Sequence, residues 1–265
     1  MERELASTQY PGALAHLGYA SRSSSMLANV TSSGLATVVF PRFAQQALSR
    51  RTGELAASFG QAVRLLLLVS VPVTLFVALF SHDLVALLFE RRAFTAGDTR
   101  HVGDLFAIFS LNIIAVGVGS LTARVLYALG KYRLLTLVGV AELLAYVGYA
   151  YALTRWLGLV GVALAQVVYF GASALWQLLL LQGRLGCLLT LENAAYVCRV
   201  TAGSLAAGLA GWLVAKGIGG LFLRCAVGGG LCVLLLPVMF RLLKIVEFEV
   251  LWTLLRNRAA RALRL

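Results

Sequence analysis

Long apolar runs separated by short polar or charged segments divide the chain. About 20 mostly apolar residues in a helix cross about 30 Å of hydrocarbon. Runs near 23–40, 62–81, 104–129, 134–153, 157–181, 194–215 and 221–243 meet that test. The first, SSSMLANVTSSGLATVVF, is rich in serine and threonine, the pattern of a helix lining a polar cavity. Pro72 falls inside the second run and Pro237 inside the last, where a kink is tolerated when neighbouring groups satisfy the freed carbonyls. The pattern therefore predicts an all-α, polytopic integral membrane helical bundle of about seven transmembrane helices.

Two connecting segments are themselves patterned. Residues 82–103 hold Leu84, Val85, Leu87, Leu88 and Phe89 ahead of mixed charges, which predicts a short interfacial helix. Beyond Lys244, Val246, Val250, Leu254 and Leu255 stand against Arg256, Arg258, Arg261 and Arg264. This predicts a basic amphipathic tail, 244–265, lying on an anionic leaflet.

Composition strengthens the membrane reading. Of the 265 residues 60% are hydrophobic and 13% charged, with a mean hydropathy of +0.86, whereas soluble domains carry roughly 25% charged residues. A soluble enzyme and a nucleic-acid-binding domain are excluded on this ground. The net charge of +12 then becomes a statement about topology. With alternating crossings, one side receives Arg42, Arg50, Arg51, Arg64, Arg124, Lys131, Arg133, Arg184, Arg199, Arg241, Lys244, Arg256, Arg258, Arg261 and Arg264. The other receives Arg91, Arg92, Arg100, Arg155, Lys216 and Arg224. The positive-inside rule puts the richer side, and with it the C-terminus, in the cytoplasm. An odd number of spans then places the N-terminus outside. Residues 1–22 lack the basic start and apolar core of a signal peptide, so upstream helices are expected.

Signatures of catalysis are absent: His16, His82 and His101 are scattered, and there is no G-x-S-x-G, H-E-x-x-H or Walker loop. No enzyme activity, cofactor or metal is expected. Cys187, Cys198, Cys225 and Cys232 lack C-x-x-C spacing and read as small buried apolar residues. What remains is polar chemistry at membrane depth, a default sign of function. Glu142 sits mid-span, either as an ion-coupling or substrate-contacting carboxylate or as a protonated, hydrogen-bonded structural residue. Arg22 precedes the polar first span, where its guanidinium either grips a phosphate at a cavity mouth or snorkels to the headgroups. Arg124, near the inner end of its span, reads as a snorkelling residue, with a cavity role as the alternative. Asn112 and Gln166 read as interhelical hydrogen-bonding groups, Asn112 with the same cavity alternative. Gly203, Ala207, Gly211 and Ala215 recur every four residues, a stripe that admits a neighbouring helix or leaves a shallow groove for a lipid chain.

Three segments, in order, resemble the MurJ/MviN lipid II flippases of the multidrug/oligosaccharidyl-lipid/polysaccharide exporter superfamily. Tyr19-Ala20-x-Arg22 with Leu35-Ala36-Thr37-Val38-Val39-Phe40-Pro41-Arg42 is similar to the family's eighth helix. Leu87 to Thr95, LLFERRAFT, resembles its outer-loop L-F-E-R-G-A-F-T motif, with Arg92 in place of the glycine. Arg124 to Gly130, RVLYALG, resembles the end of its tenth helix. The resemblance implies the second lobe plus two extra C-terminal helices of a 14-helix flippase. Its parts are a lead-in at 1–22 that ends a truncated helix, a second-lobe bundle at 23–190, the added pair at 191–243 and the tail. It also implies a lipid-linked polyprenyl pyrophosphate substrate, contact with membrane lipids, a partner N-terminal lobe and a bacterial cytoplasmic membrane location, with no nucleic acid. Arg22, Ser25 and Asn29 become the substrate-binding candidates, Ser25 standing where some members carry an acid, and Gly203, Ala207 and Gly211 become a lipid-tail groove. An exporter of another polysaccharide precursor or a drug, or a truncated scaffold that transports nothing, is the alternative.

Overall fold

The computed structural model describes residues 12–91, 94–186, 191–245 and 247–249. The chain order is α1 (Ala13–Leu48), α2 (Thr52–Leu79), α3 (Ser81–Phe89), α4 (Ala96–Ser110), α5 (Asn112–Ala128), α6 (Tyr132–Leu185), α7 (Leu191–Lys216) and α8 (Leu221–Leu242). No strand occurs among the described residues. Thr52–Leu79, Ala96–Ala128, Tyr132–Leu185, Glu192–Lys216 and Leu221–Leu242 are long and apolar enough to cross a membrane.

Every predicted run is helical, but the joints differ from the pattern. α1 continues unbroken from Ala13 to Leu48, so the predicted division at 22/23 gives way to a single helix. The 54 residues of α6 would extend about 81 Å if straight. Instead the helix folds back at Gly158, whose φ of 60° and ψ of −135° are open to glycine and strained for other residues. The two arms close through Tyr146, Ala150 and Ala165, with Tyr146 and Tyr169 ring centroids 5.2 Å apart. The predicted 104–129 span starts earlier, at Ala96, and breaks at Leu111 between α4 and α5. Carbonyls near the break find partners on other helices. Ser24 of α1 donates to the Phe109 carbonyl at 2.6 Å, and Thr74 of α2 donates to that of Ser110 at 3.4 Å.

Two apolar clusters fill the bundle. Phe43, Leu55, Phe59, Leu66, Leu121, Leu126 and Leu181 pack toward one end. Leu17, Val77, Val85, Val102, Phe106, Phe109 and Val162 pack toward the end that holds α3. The α7–α8 pair lies against α2, α3 and the first of these clusters. Polar ties secure it at both ends. Arg224 donates to Asp83 at 3.2 Å. At the opposite end the Arg64 guanidinium donates to Asn193 Oδ1 at 2.8 and 3.0 Å and to Glu247 at 3.0 Å. The Tyr196 hydroxyl donates to the Arg64 carbonyl at 2.8 Å. The tail beyond Glu249, with Val246, lies outside the described residues. Cys225 and Cys232 are buried as expected, whereas Cys198 is exposed, and Cys187 lies outside the described residues.

Candidate functional site: an open polar wall on α1

Helical periodicity divides α1 into two faces. Ala13, Leu17, Ala20, Ser24, Ala28 and Ser32 are buried at spacings of three and four residues, so this face packs on the bundle. Arg22, Ser25, Asn29 and Ser33, at the same spacings, lie on the opposite face and are exposed, interleaved with Met26 and Val30. The high serine and threonine content therefore has two causes. Ser24 bonds another helix, while Thr31, Ser32 and Thr37 donate to carbonyls four residues back, at 2.6–2.8 Å. Ser25 and Ser33 belong to the open face. Arg22 has no ion-pair or hydrogen-bond partner among the described residues, leaving its five donors available to an anion.

The first predicted motif is thus split by function of face. Ala20 is buried in the fold, Tyr19 stays exposed at its edge, and Arg22 is exposed on the open face. Tyr19 meets the outer-loop motif, its ring lying 5.0 Å from Phe89 and 5.6 Å from Phe94. Other motif residues also brace the loop. Glu90 accepts from Thr99 at 2.9 Å, and Thr95 caps α4 in a reciprocal box with Asp98. Arg92 and Ala93 of the motif lie outside the described residues.

The remaining candidates do not converge on this wall. Asn112 opens α5 at the break and is buried, with no hydrogen-bond partner for its Oδ1 among the described residues. Glu142 is half-buried on the first arm of α6, one turn before Tyr146, and its Oε1 likewise has no partner there. The Arg124 guanidinium lies 5.9 Å from the Phe40 ring centroid, joining α5 to the far end of α1. Gln166 is half-buried on the second arm of α6.

The α7 stripe is closed. A Cβ on Gly203 would lie 3.0 Å from Leu243, and one on Gly211 would lie 2.7 Å from the Gly228 carbonyl oxygen and 2.8 Å from Cys232 Sγ. Ala207 is buried, and its carbonyl accepts from Cys232 Sγ at 3.6 Å. The groove expected over Gly203, Ala207 and Gly211 is thus occupied by α8. Small residues recur there because the neighbouring segment packs directly on the helix, its backbone reaching α7 at Gly211.

Sequence reasoning missed two clusters. Arg64 enters the sequence reading only as one basic residue of the richer side, yet its partners lie 129 and 183 positions away. The scattered histidines all find a place near α4: His16 bonds Asp98 at 2.8 Å and stacks with His101, while His82 bonds Asp104 at 3.0 Å. Pairings at such separations leave no local signal. Among the described residues no group of three or more His, Cys, Asp or Glu is arranged to hold a metal ion.

A multi-pass membrane bundle with a polar, cation-bearing wall that its own helices leave uncovered is the class of protein these features define. The family model described as "Lipid II flippase MurJ" matches residues 1–223, and the chain belongs to that family. Over 104 residues it is 32% identical to a probable lipid II flippase MurJ of Rhizobium tropici, a match covering 39% of this chain and 20% of the relative. Over 119 residues it is 25% identical to a probable lipid II flippase MurJ of Rickettsia prowazekii (strain Madrid E), covering 45% and 24%. A solved lipid II flippase MurJ in an inward closed conformation shares the fold, with a TM-score of 0.71 at 16% identity over 91% of this chain. The chain spans 50% of that solved chain, and its matched segments about a quarter or less of the two relatives.

Proposed function

We propose that the chain acts as the C-terminal part of a lipid II flippase, moving a polyprenyl pyrophosphate-linked peptidoglycan precursor across the bacterial cytoplasmic membrane by alternating access. The observation that carries this reading is the open face of α1, where Arg22 stands without a counter-ion beside Ser25 and Asn29. An arginine fork in a low-dielectric cavity suits a pyrophosphate, whose oxygens accept paired, charge-assisted bonds. α1 to α6 form the second lobe and α7–α8 the added pair. A first lobe faces the α1 wall and completes the cavity, since alternating access needs two bodies that rock about one site. The excess of Arg and Lys on the side of Arg42, Lys131, Arg184 and Lys244 supports a cytoplasmic C-terminus. Glu142 and Asn112, with unpartnered buried oxygens, are the places where a proton or cation biases the two states.

Cells depleted of their own flippase provide the test. This chain with a first lobe restores growth, and the chain alone does not. Failure of the pair, with both polypeptides present in the membrane, contradicts the proposal.

A further inference from the structure

The fold of α6 back on itself brings its two ends together at the end of the bundle opposite α3. Gly130, Lys131, Tyr132, Arg133, Leu134 and Arg184 line an open cup of about 410 Å³ there. None of its three cations has an ion-pair partner among the described residues. The Arg133 guanidinium lies 6.0 Å from the Tyr132 ring. The first turn of α6 opens at this cup with no side-chain cap, adding the positive end of a helix dipole. Three uncompensated cations in a concave site mark a place for an anion.

The surface leading away from the cup identifies what carries that anion. Leu137, Val140 and Leu144 continue the face of Arg133 at helical spacing, and they are 69%, 53% and 70% exposed. The strip belongs to a helix apolar enough to cross a membrane, so the cup opens onto lipid, where the anion within reach is a headgroup. A phospholipid covers both parts, its headgroup in the cup and an acyl chain along the strip. We propose that this cup is a binding site for an anionic phospholipid, separate from the α1 wall. The lipid anchors the α6 hairpin, so that the hairpin ends stay at headgroup level. The lipid contact stands without the flippase reading; only its assignment to the inner leaflet rests on the orientation proposed above.

Native mass spectrometry of the full chain in detergent tests this with phosphatidylglycerol, phosphatidylcholine and inorganic phosphate as probes. One phosphatidylglycerol is expected to bind tightly, phosphatidylcholine about tenfold more weakly, and inorganic phosphate is expected not to compete. Combined Lys131→Gln, Arg133→Gln and Arg184→Gln weakens phosphatidylglycerol binding about a hundredfold, since each cation near a surface contributes about a kcal/mol. The melting temperature in detergent serves as the folding control. If the triple variant does not fold, Arg133→Gln and Arg184→Gln singly are expected to weaken binding about fivefold each. Undiminished phosphatidylglycerol binding in the variants that fold overturns the proposal. So does equal binding of phosphatidylcholine, and displacement of the lipid by inorganic phosphate reduces the cup to a simple anion site and overturns it as well.

Discussion

The exposed face of α1 and the small-residue face of α7 each allow two readings in the sequence, a substrate surface or an ordinary structural one, and the fold treats them in opposite ways. α8 and the residue after it close the stripe, with side chains of Leu243, Phe240 and Met239 against Gly203 and the Gly228 carbonyl against Gly211. Nothing in the described structure covers Arg22, Ser25 and Asn29. Small residues lower the cost of close helix contact, so a regular stripe of them marks a partner already present in the chain. Polar residues are costly against lipid, so on the proposed reading the uncovered row faces water, a ligand or a partner.

The strongest blow to this contrast comes from bulk on the closed face. Gly211→Leu is expected to force α7 from α8 and cost about 3 kcal/mol, because the clash is with a backbone carbonyl that cannot move aside. Unfolding in mixed detergent measures it, and a variant as stable as the parent would reopen the groove. Arg64→Ala comes next, at about 2 kcal/mol, since it strips partners from Asn193 and from Glu247, whose side chain is 13% exposed. Combining it with Glu247→Gln should cost less than the two single losses together if they share one network. Thr95→Ala removes the cap of α4 and should cost about 1 kcal/mol, seen as a lower melting temperature. On the open face Arg22→Ala should change stability by less than about 0.5 kcal/mol, because the side chain touches nothing that its loss would unpair. A large loss there would mean that the wall is held by the bundle after all.

Helix positions were legible because membrane helices advertise themselves by apolar length, and the runs from 62 to 243 all recur as helices. The joints were hidden. α1 reaches back to Ala13 through residues too polar to register as part of a span. The break at Leu111 has no proline or glycine beside it, and its carbonyls are taken up by Ser24 and Thr74 from distant parts of the chain. The fold-back at Gly158 needs no loop residues, so the gap expected between 153 and 157 closes to a single left-handed glycine. Of the site candidates, Arg22, Ser25 and Asn29 share a face as their helical spacing implies. The clasp around Arg64 could not be read, since each of its contacts crosses more than a hundred residues.

The central claim is that Arg22 holds the phosphate of a moving lipid. The most direct measurement joins this chain to a first lobe, reconstitutes the product in vesicles and follows lipid II crossing the bilayer. Arg22→Ala should slow crossing about ten- to a hundredfold, the worth of a charge-assisted bond, with melting unchanged and Arg22→Lys intermediate. Crossing at the parent rate in the alanine variant would contradict the account.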